Sequence, residues 1–305
     1  MNYPRFLLLA GVLALAASFS SASAATSAEP GRGIAPADLA AARVLYNERG
    51  KSAAAQAAFE KLAATDPKNP DANFFLGHLA NRRDEPEKAV KYFEVALAAE
   101  PSAGRHHHGL GEAFGRSAQK AGIFSKLGLA KKCLAAYERA VALEPGSADF
   151  RHSLFEFYRQ APAMFGGGFD KAAAQAAAIK QIDPARGRLV FVTLYVGEKK
   201  YAEALAEFDE VLKASPDDYA SLYQVGKLAA TTGQFVDRGV TALRRCLELP
   251  APTSPAIPGH TAAHWRLGQL LEKKNDAASA RAAYEAAVKL DPSFTPAAEA
   301  LRKLQ

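Results

Sequence analysis

From Pro36 onward, small and apolar residues fall three and four apart, the spacing of one helix face, and only short polar turns interrupt them. The predicted helices come in pairs that share one grammar. A first helix carries Leu-Gly or an equivalent small pair. A polar turn follows, and the second helix carries a small residue, an aromatic four places on, another small residue and a closing proline. One unit has Phe75-Leu76-Gly77, Ala89, Phe93, Ala96 and Pro101; the next has Leu110-Gly111, Cys133, Tyr137, Ala140 and Pro145; the last has Leu267-Gly268, Ala280, Tyr284, Ala287 and Pro292.

The closing prolines are Pro67, Pro101, Pro145, Pro184, Pro216, Pro250 and Pro292, spaced by 34, 44, 39, 32, 34 and 42 residues. Proline cannot sit inside a helix, so each marks the end of a second helix. Two intervals equal 34 and three read as 34 with an insertion, which is the signature of a repeat array. The physics is close packing. Gly77, Gly111, Gly226 and Gly268 let paired helices approach, while Phe59, Phe93, Tyr137, Phe208 and Tyr284 fill the space between successive hairpins.

Taken together, these residues resemble the tetratricopeptide repeat (TPR) superfamily, whose unit is a helix-turn-helix of about 34 residues. The resemblance spans residues 36–305. It implies an all-α fold, a right-handed superhelical solenoid of about seven hairpins closed by a C-terminal capping helix built on Phe294, Ala298, Leu301 and Leu304. Several units depart from the grammar. Phe155 stands where others have a small residue, and Ala176 where others have an aromatic. The unit before Pro250 fits with Gly239, Leu243 and Cys246 in the Ala, aromatic and Ala places.

Three insertions are expected. Arg116–Gly128 should lengthen both helices of the third hairpin and bring Phe124 and Leu127 against neighbours. The second is Gln160–Gly168, with Gly166-Gly167-Gly168; its Ala-Pro-x-x-x-Gly-Gly-Gly stretch is similar to a loop in some exported bacterial TPR proteins, loosely including the T component associated with TRAP-type solute transporters. The third is a proline-rich loop over 250–258.

The N-terminus supplies an address. Arg5 precedes the apolar run Phe6–Ala17, and Ala22-Ser23-Ala24 offers the small residues a signal peptidase needs, so residues 1–24 read as a signal peptide and 25–35 as a flexible leader. The expectation is a periplasmic protein whose mature chain begins near Ala25 and carries no transmembrane segment. Residues 1–24 contain one basic residue, Arg5, and no acidic one, so their removal lowers the formal charge from +6 to +5. That is a weak bias. Basic and acidic residues alternate and no aromatics interleave with basic clusters, which argues against nucleic acid as a partner.

Candidate chemistry is sparse. Cys133 and Cys246 occupy small-residue places about three units apart, too far along a stack for a disulfide, and read as buried apolar side chains. The triple glycine lacks the preceding strand and the Lys-Ser/Thr of a phosphate loop, so it reads as a turn. His106-His107-His108 splay by roughly 100 degrees per residue and cannot converge on one ion. His108 and Glu112 do have ligand spacing, with His152 in the equivalent place one unit later, but a polar groove lining accounts for them. No metal, cofactor or catalytic grouping is assigned, and no enzyme activity is expected.

The concave face is the better candidate. The first helix of a TPR hairpin faces it, and positions −6, −3, +1 and +4 from the packing residue form one stripe. That stripe reads Asp71, Phe74, His78, Asn81; Arg105, His108, Glu112; Asp149, His152, Glu156, Arg159; Arg188, Phe191, Tyr195; Tyr223, Lys227; and Trp265, Gln269, Glu272. The Lys and Asn of the clamp by which cytosolic TPR cochaperones hold an acidic C-terminal tail would fall at Phe74 and His78, which excludes that function. The expectation is therefore a non-catalytic exported scaffold with a protein or peptide partner in the groove. The alternatives are a solute- or lipid-binding component of an envelope system, and a regulatory subunit or chaperone of an envelope enzyme.

Overall fold

The computed structural model describes residues 35–304; the expected signal peptide and nearly all of the leader lie outside them. Fifteen α-helices follow one another among the described residues: α1 (Pro36–Asn47), α2 (Ser52–Thr65), α3 (Pro70–Arg82), α4 (Pro86–Ala99), α5 (Gly104–Lys120), α6 (Ile123–Leu143), α7 (Ala148–Gln160), α8 (Phe169–Ile182), α9 (Pro184–Gly197), α10 (Tyr201–Ala214), α11 (Tyr219–Thr232), α12 (Val236–Glu248), α13 (His260–Lys273), α14 (Ala277–Leu290) and α15 (Thr295–Lys303). They form seven antiparallel hairpins and a terminal helix, an all-α solenoid. Each second helix ends two residues before one of the seven prolines.

Side-chain oxygens fix where the first helices begin. Asn69, Ser147, Asp183 and Asp218 each accept a hydrogen bond from the backbone N–H three residues on, which satisfies one of the free donors at a helix start. Asp183 has a second duty, because it also closes α8, and so no loop separates the fourth hairpin from the fifth. There α9 lies so close to α8 that a β-carbon at Gly187 would sit 2.2 Å from Lys180 Cα.

The core runs through the stack as a chain of local clusters. Phe59, Phe93, Phe155, Leu243 and Tyr284 are wholly buried and lock each hairpin. Rings expected between successive hairpins also pack on the glycine of their own hairpin: a β-carbon at Gly111 would lie 2.6 Å from Tyr137, and at Gly268 2.4 Å from Tyr284. Leu243 stands in the ring's place against Gly226. In the fourth hairpin the sizes are exchanged, with Phe155 and Ala176 both fully buried in one cluster. Against the open end of the stack, α15 seats Ala297, Leu301 and Leu304, and the Arg281 guanidinium donates to the Leu304 carbonyl.

The third hairpin is lengthened in both helices, to 17 and 21 residues against 12–14 in the other hairpins. Leu127 is half-buried, but Phe124 is not against a neighbour: it is 97% exposed. The insertion carries it beyond the stack, where adjacent hairpins offer no wall. The glycine loop is a closed turn. Gly166 is left-handed, and a β-carbon at Gly167 would strike the Ala161 carbonyl oxygen. The N–H groups of Gly166, Gly167 and Gly168 donate to Ala163, Pro162 and Tyr158 carbonyls, so none is left for a phosphate.

Candidate functional site: the inner face of the first helices

First helices touch one another directly in two places, α3 with α5 and α11 with α13, whereas successive second helices make no comparable contact. Their spacing is therefore tighter, and they line the inner side of the curve. Along that side the stripe residues meet from one repeat to the next. Asp71 lies 3.0 Å from Arg43 of α1 and 3.1 Å from Arg105 of α5, joining three first helices. Arg105 also reaches Glu100 at 3.0 Å and lies over the Phe74 ring. His78 faces Glu112 at 3.7 Å, the His108 Nε2 is 2.8 Å from Ser153 Oγ, and Arg186 donates to Asp149 at 2.7 Å.

Aromatic groups pack between these polar links. The His108 ring stacks on Phe150 with centroids 4.8 Å apart, and Phe74 meets His78 edge-on at 4.5 Å. Tyr195 stacks on Phe191, which in turn lies under the Lys180 ammonium of α8. At the C-terminal end Arg266 covers Trp265, which also meets Phe294 edge-on. Trp265, Gln269 and Glu272 line an open depression of about 270 Å³ closed on its far side by α15. A larger one, about 770 Å³, lies along α4 between Glu87, Lys91 and Tyr92, away from the stripe.

Burial sets the electrostatics of the histidines. Desolvation lowers the His78 pKa to about 4, against the pull of Glu112. Burial also holds His106, His108 and His152 below their ordinary value. They are neutral at pH 7, so His106, fully buried, donates its Nε2–H to Glu100 at 2.9 Å. His107 points elsewhere, its Nε2 3.0 Å from the Pro101 carbonyl oxygen. No three His, Cys, Asp or Glu side chains are grouped to hold a metal among the described residues. Lys227, though exposed, has a lowered pKa, chiefly from desolvation and then from Arg266, as befits an ammonium on a concave wall.

Two stripe assignments need correcting. Asn81 is 4% exposed and Tyr223 likewise 4%, so neither belongs to the free surface. The reason is angular. At about 100 degrees per residue, +4 and −3 lie only about 40 and 60 degrees from the packing direction, whereas +1 and −6 lie about 100 and 120 degrees away. Among these outward positions Lys227 at +1 is exposed, while His78, Glu112, Glu156, Tyr195 and Gln269 at +1, and Arg105 and Arg188 at −6, are half-buried. Phe74, His108, His152 and Trp265 at −3 are half-buried, and Arg159 at +4 is half-exposed, tied to Glu156 at 2.6 Å. The stripe omits α1 and so misses Arg43, which follows the buried Ala42, and it misses Phe150, Ser153 and Arg186, which lie off its four positions but reach the same face.

The tetratricopeptide repeat profile matches residues 39–114, 189–245 and 233–293, more than half of the chain. The chain belongs to the tetratricopeptide repeat family. Residues 115–188, between those matches, hold most of the lengthened third hairpin and the size-exchanged fourth. Solved TPR structures share the fold. A tetratricopeptide repeat protein from Parabacteroides merdae is 14% identical over 88% of this chain and 99% of its own, with a TM-score of 0.52. The C-terminal part of a TPR protein from Cytophaga hutchinsonii is 17% identical over 86% and 99%, also at 0.52. Yeast Tom70 is 14% identical, covering 83% of this chain and 51% of its own, at 0.55. At these identities the likeness is one of fold alone. No curated protein matches the sequence.

TPR arrays are protein-interaction scaffolds, and no described helix is long and apolar enough to cross a membrane.

Proposed function

We propose that this chain is an exported, non-catalytic scaffold that holds a peptide or protein segment along the inner face of its first helices. The observation that carries the reading is the continuity of the stripe. Arg, His and aromatic side chains recur on the same face of successive first helices and stay partly exposed, with Arg105 tied to Asp71, His108 to Ser153, Arg159 to Glu156 and Tyr195 stacked on Phe191. Rigid rings and guanidinium groups on a concave wall present large contact area at small entropic cost to an extended segment. The Ala-x-Ala end of the N-terminal apolar run supports export to the periplasm.

Peptides selected from a displayed random library against the full chain test the groove. They should bind roughly tenfold or more weakly to Arg159→Ala/Tyr195→Ala, since groove anchors of this kind are worth above 1–2 kcal/mol. The unfolding transition of that variant should stay near the parent's. Selected peptides that bind the double variant normally place the binding surface elsewhere. Export is tested by mass spectrometry of the protein in an envelope fraction: a chain starting near Ala25 is expected, and an intact Met1 terminus rejects it.

A further inference from the structure

The most exposed large apolar side chains among the described residues are not in the groove. Phe124 is 97%, Ile123 79% and Met164 75% exposed, well above the 57% of the next, Val44. Ile123 and Phe124 form the tip of the lengthened hairpin, and Met164 lies on the first-to-second turn of the following one, on the same edge of the stack. Nothing packs around the tip. A β-carbon at Gly122 or at Gly128 would meet no atom within 4 Å. Folding does not demand this hairpin's extra length, roughly 5–10 Å per helix.

The charge around the tip has one sign. Between Glu112 and Glu138 the chain holds Arg116, Lys120, Lys126, Lys131 and Lys132 and no acidic residue, whereas the two signs alternate elsewhere. Lys120 is tied back to Asp84 of the preceding turn at 2.8 Å and Lys132 lies over Phe114, which brace the hairpin. Lys126, one turn behind Ile123, is exposed and has no acidic partner among the described residues. The first turn of α6 has no side-chain cap, so its free N–H groups point the same way as the tip.

We propose that this tip is a membrane-docking element that seats Ile123 and Phe124 in the interface of an anionic lipid surface. A convex apolar apex with cations set about one turn behind it matches the layering of such an interface, acyl chains below and phosphates above. Each lysine near an anionic surface adds attraction that salt weakens. A groove in an acidic protein would need a complementary cleft for a pair of side chains that share no face with the binding stripe; the lipid surface needs only the charge and shape present.

The full chain carrying F124W tests this with vesicles of phosphatidylglycerol and phosphatidylcholine, half of them with brominated acyl chains. The native Trp265 lies at the far end of the array, so the parent protein provides the background signal. Indole emission of the variant should shift to the blue on anionic vesicles and be quenched by the bromolipid, while the parent changes little. Raising salt should weaken the effect, and pure phosphatidylcholine should produce a much smaller one. In the F124W background, Lys126→Ala/Lys131→Ala should require roughly thirtyfold more anionic lipid, the change expected from losing two charges worth about 1 kcal/mol each near the surface. Emission at position 124 that ignores anionic vesicles overturns the proposal, as does a blue shift that follows protein concentration without lipid, which would mark the tip as a contact between copies. Because the indole reports only its own surroundings, adsorption through another part of the chain cannot imitate the result.

Discussion

Gly77 meets the ring of Phe93 so closely that a β-carbon there would lie 2.7 Å from it. The same ring also meets Gly109 of the next hairpin, at 2.4 Å by the same measure. Phe93 therefore holds one hairpin shut and fastens it to its successor. Gly77→Leu is expected to destabilise the array by about 1–3 kcal/mol through overpacking, and Phe93→Ala by about 3–5 kcal/mol through the cavity it leaves. Gly128→Ala supplies the opposite sign, because its site is open and helical, and should stabilise by about 0.5–1 kcal/mol. Urea unfolding followed by circular dichroism measures all three.

Phe155 and Ala176 exchange the sizes that other hairpins assign to these two positions, and both are wholly buried. Phe155→Ala should cost about 3–5 kcal/mol as a cavity, and Ala176→Phe about 1–3 kcal/mol as an overpacked site. The double substitution restores the usual order. It should recover part of the loss, with a coupling of about 1–3 kcal/mol in a double-mutant cycle. Simple additivity would show that the two side chains do not share one space.

Acid should weaken the N-terminal half of the array. His78 falls from an ordinary 6.5 to about 4 in the folded chain, chiefly by burial, with Glu112 opposing and His108, Arg82 and His106 adding to the fall. His106, His108 and His152 shift in the same direction. The unfolded chain then binds protons that the folded chain refuses, so stability is full above about pH 6.5 and declines as pH falls towards 4. His78→Gln should flatten that decline in a pH series of thermal melts. A stability that rises on acidification through this window would contradict the burial argument.

Cys133 and Cys246 are both free and buried, and burial raises each thiol to about 12. Reactivity needs the thiolate. A thiol reagent at pH 8 should therefore leave both unmodified in the folded protein and titrate two on denaturation, with no change when a reductant is added first. Rapid modification of either in native conditions would show that its hairpin opens.

The repeat grammar made the hairpins legible because proline, glycine and aromatic positions are dictated by helix ends and helix contacts, which recur identically in each unit. Gly111, Tyr137, Gly226 and Leu243 are legible as packing positions, but that Tyr137 rests on Gly111 and Leu243 on Gly226 of the same hairpin is not. The groove was legible to the extent that angle alone decides it. Tyr223 and Asn81 share the stripe's spacing, yet they lean toward the packing direction and are buried. Phe124 defeats the reasoning for another reason: apolar character predicts burial only where something exists to be buried against, and an insertion's direction is not encoded in its spacing. Arg186 lies off the stripe and Arg43 lies in a first helix where no packing residue is assigned, although each faces a stripe carboxylate.

Asp183 has a mechanical consequence. Every other pair of hairpins is joined by four to eleven residues, but here one residue stops α8 and starts α9, with Gly187 pressed on Lys180. A joint without slack transmits torque. Twisting of the first four hairpins must pass through this point into the last three or be absorbed as bending of α8 and α9 themselves. The first four hairpins and the last three are thus coupled through a joint with less freedom than the linkers elsewhere in the stack.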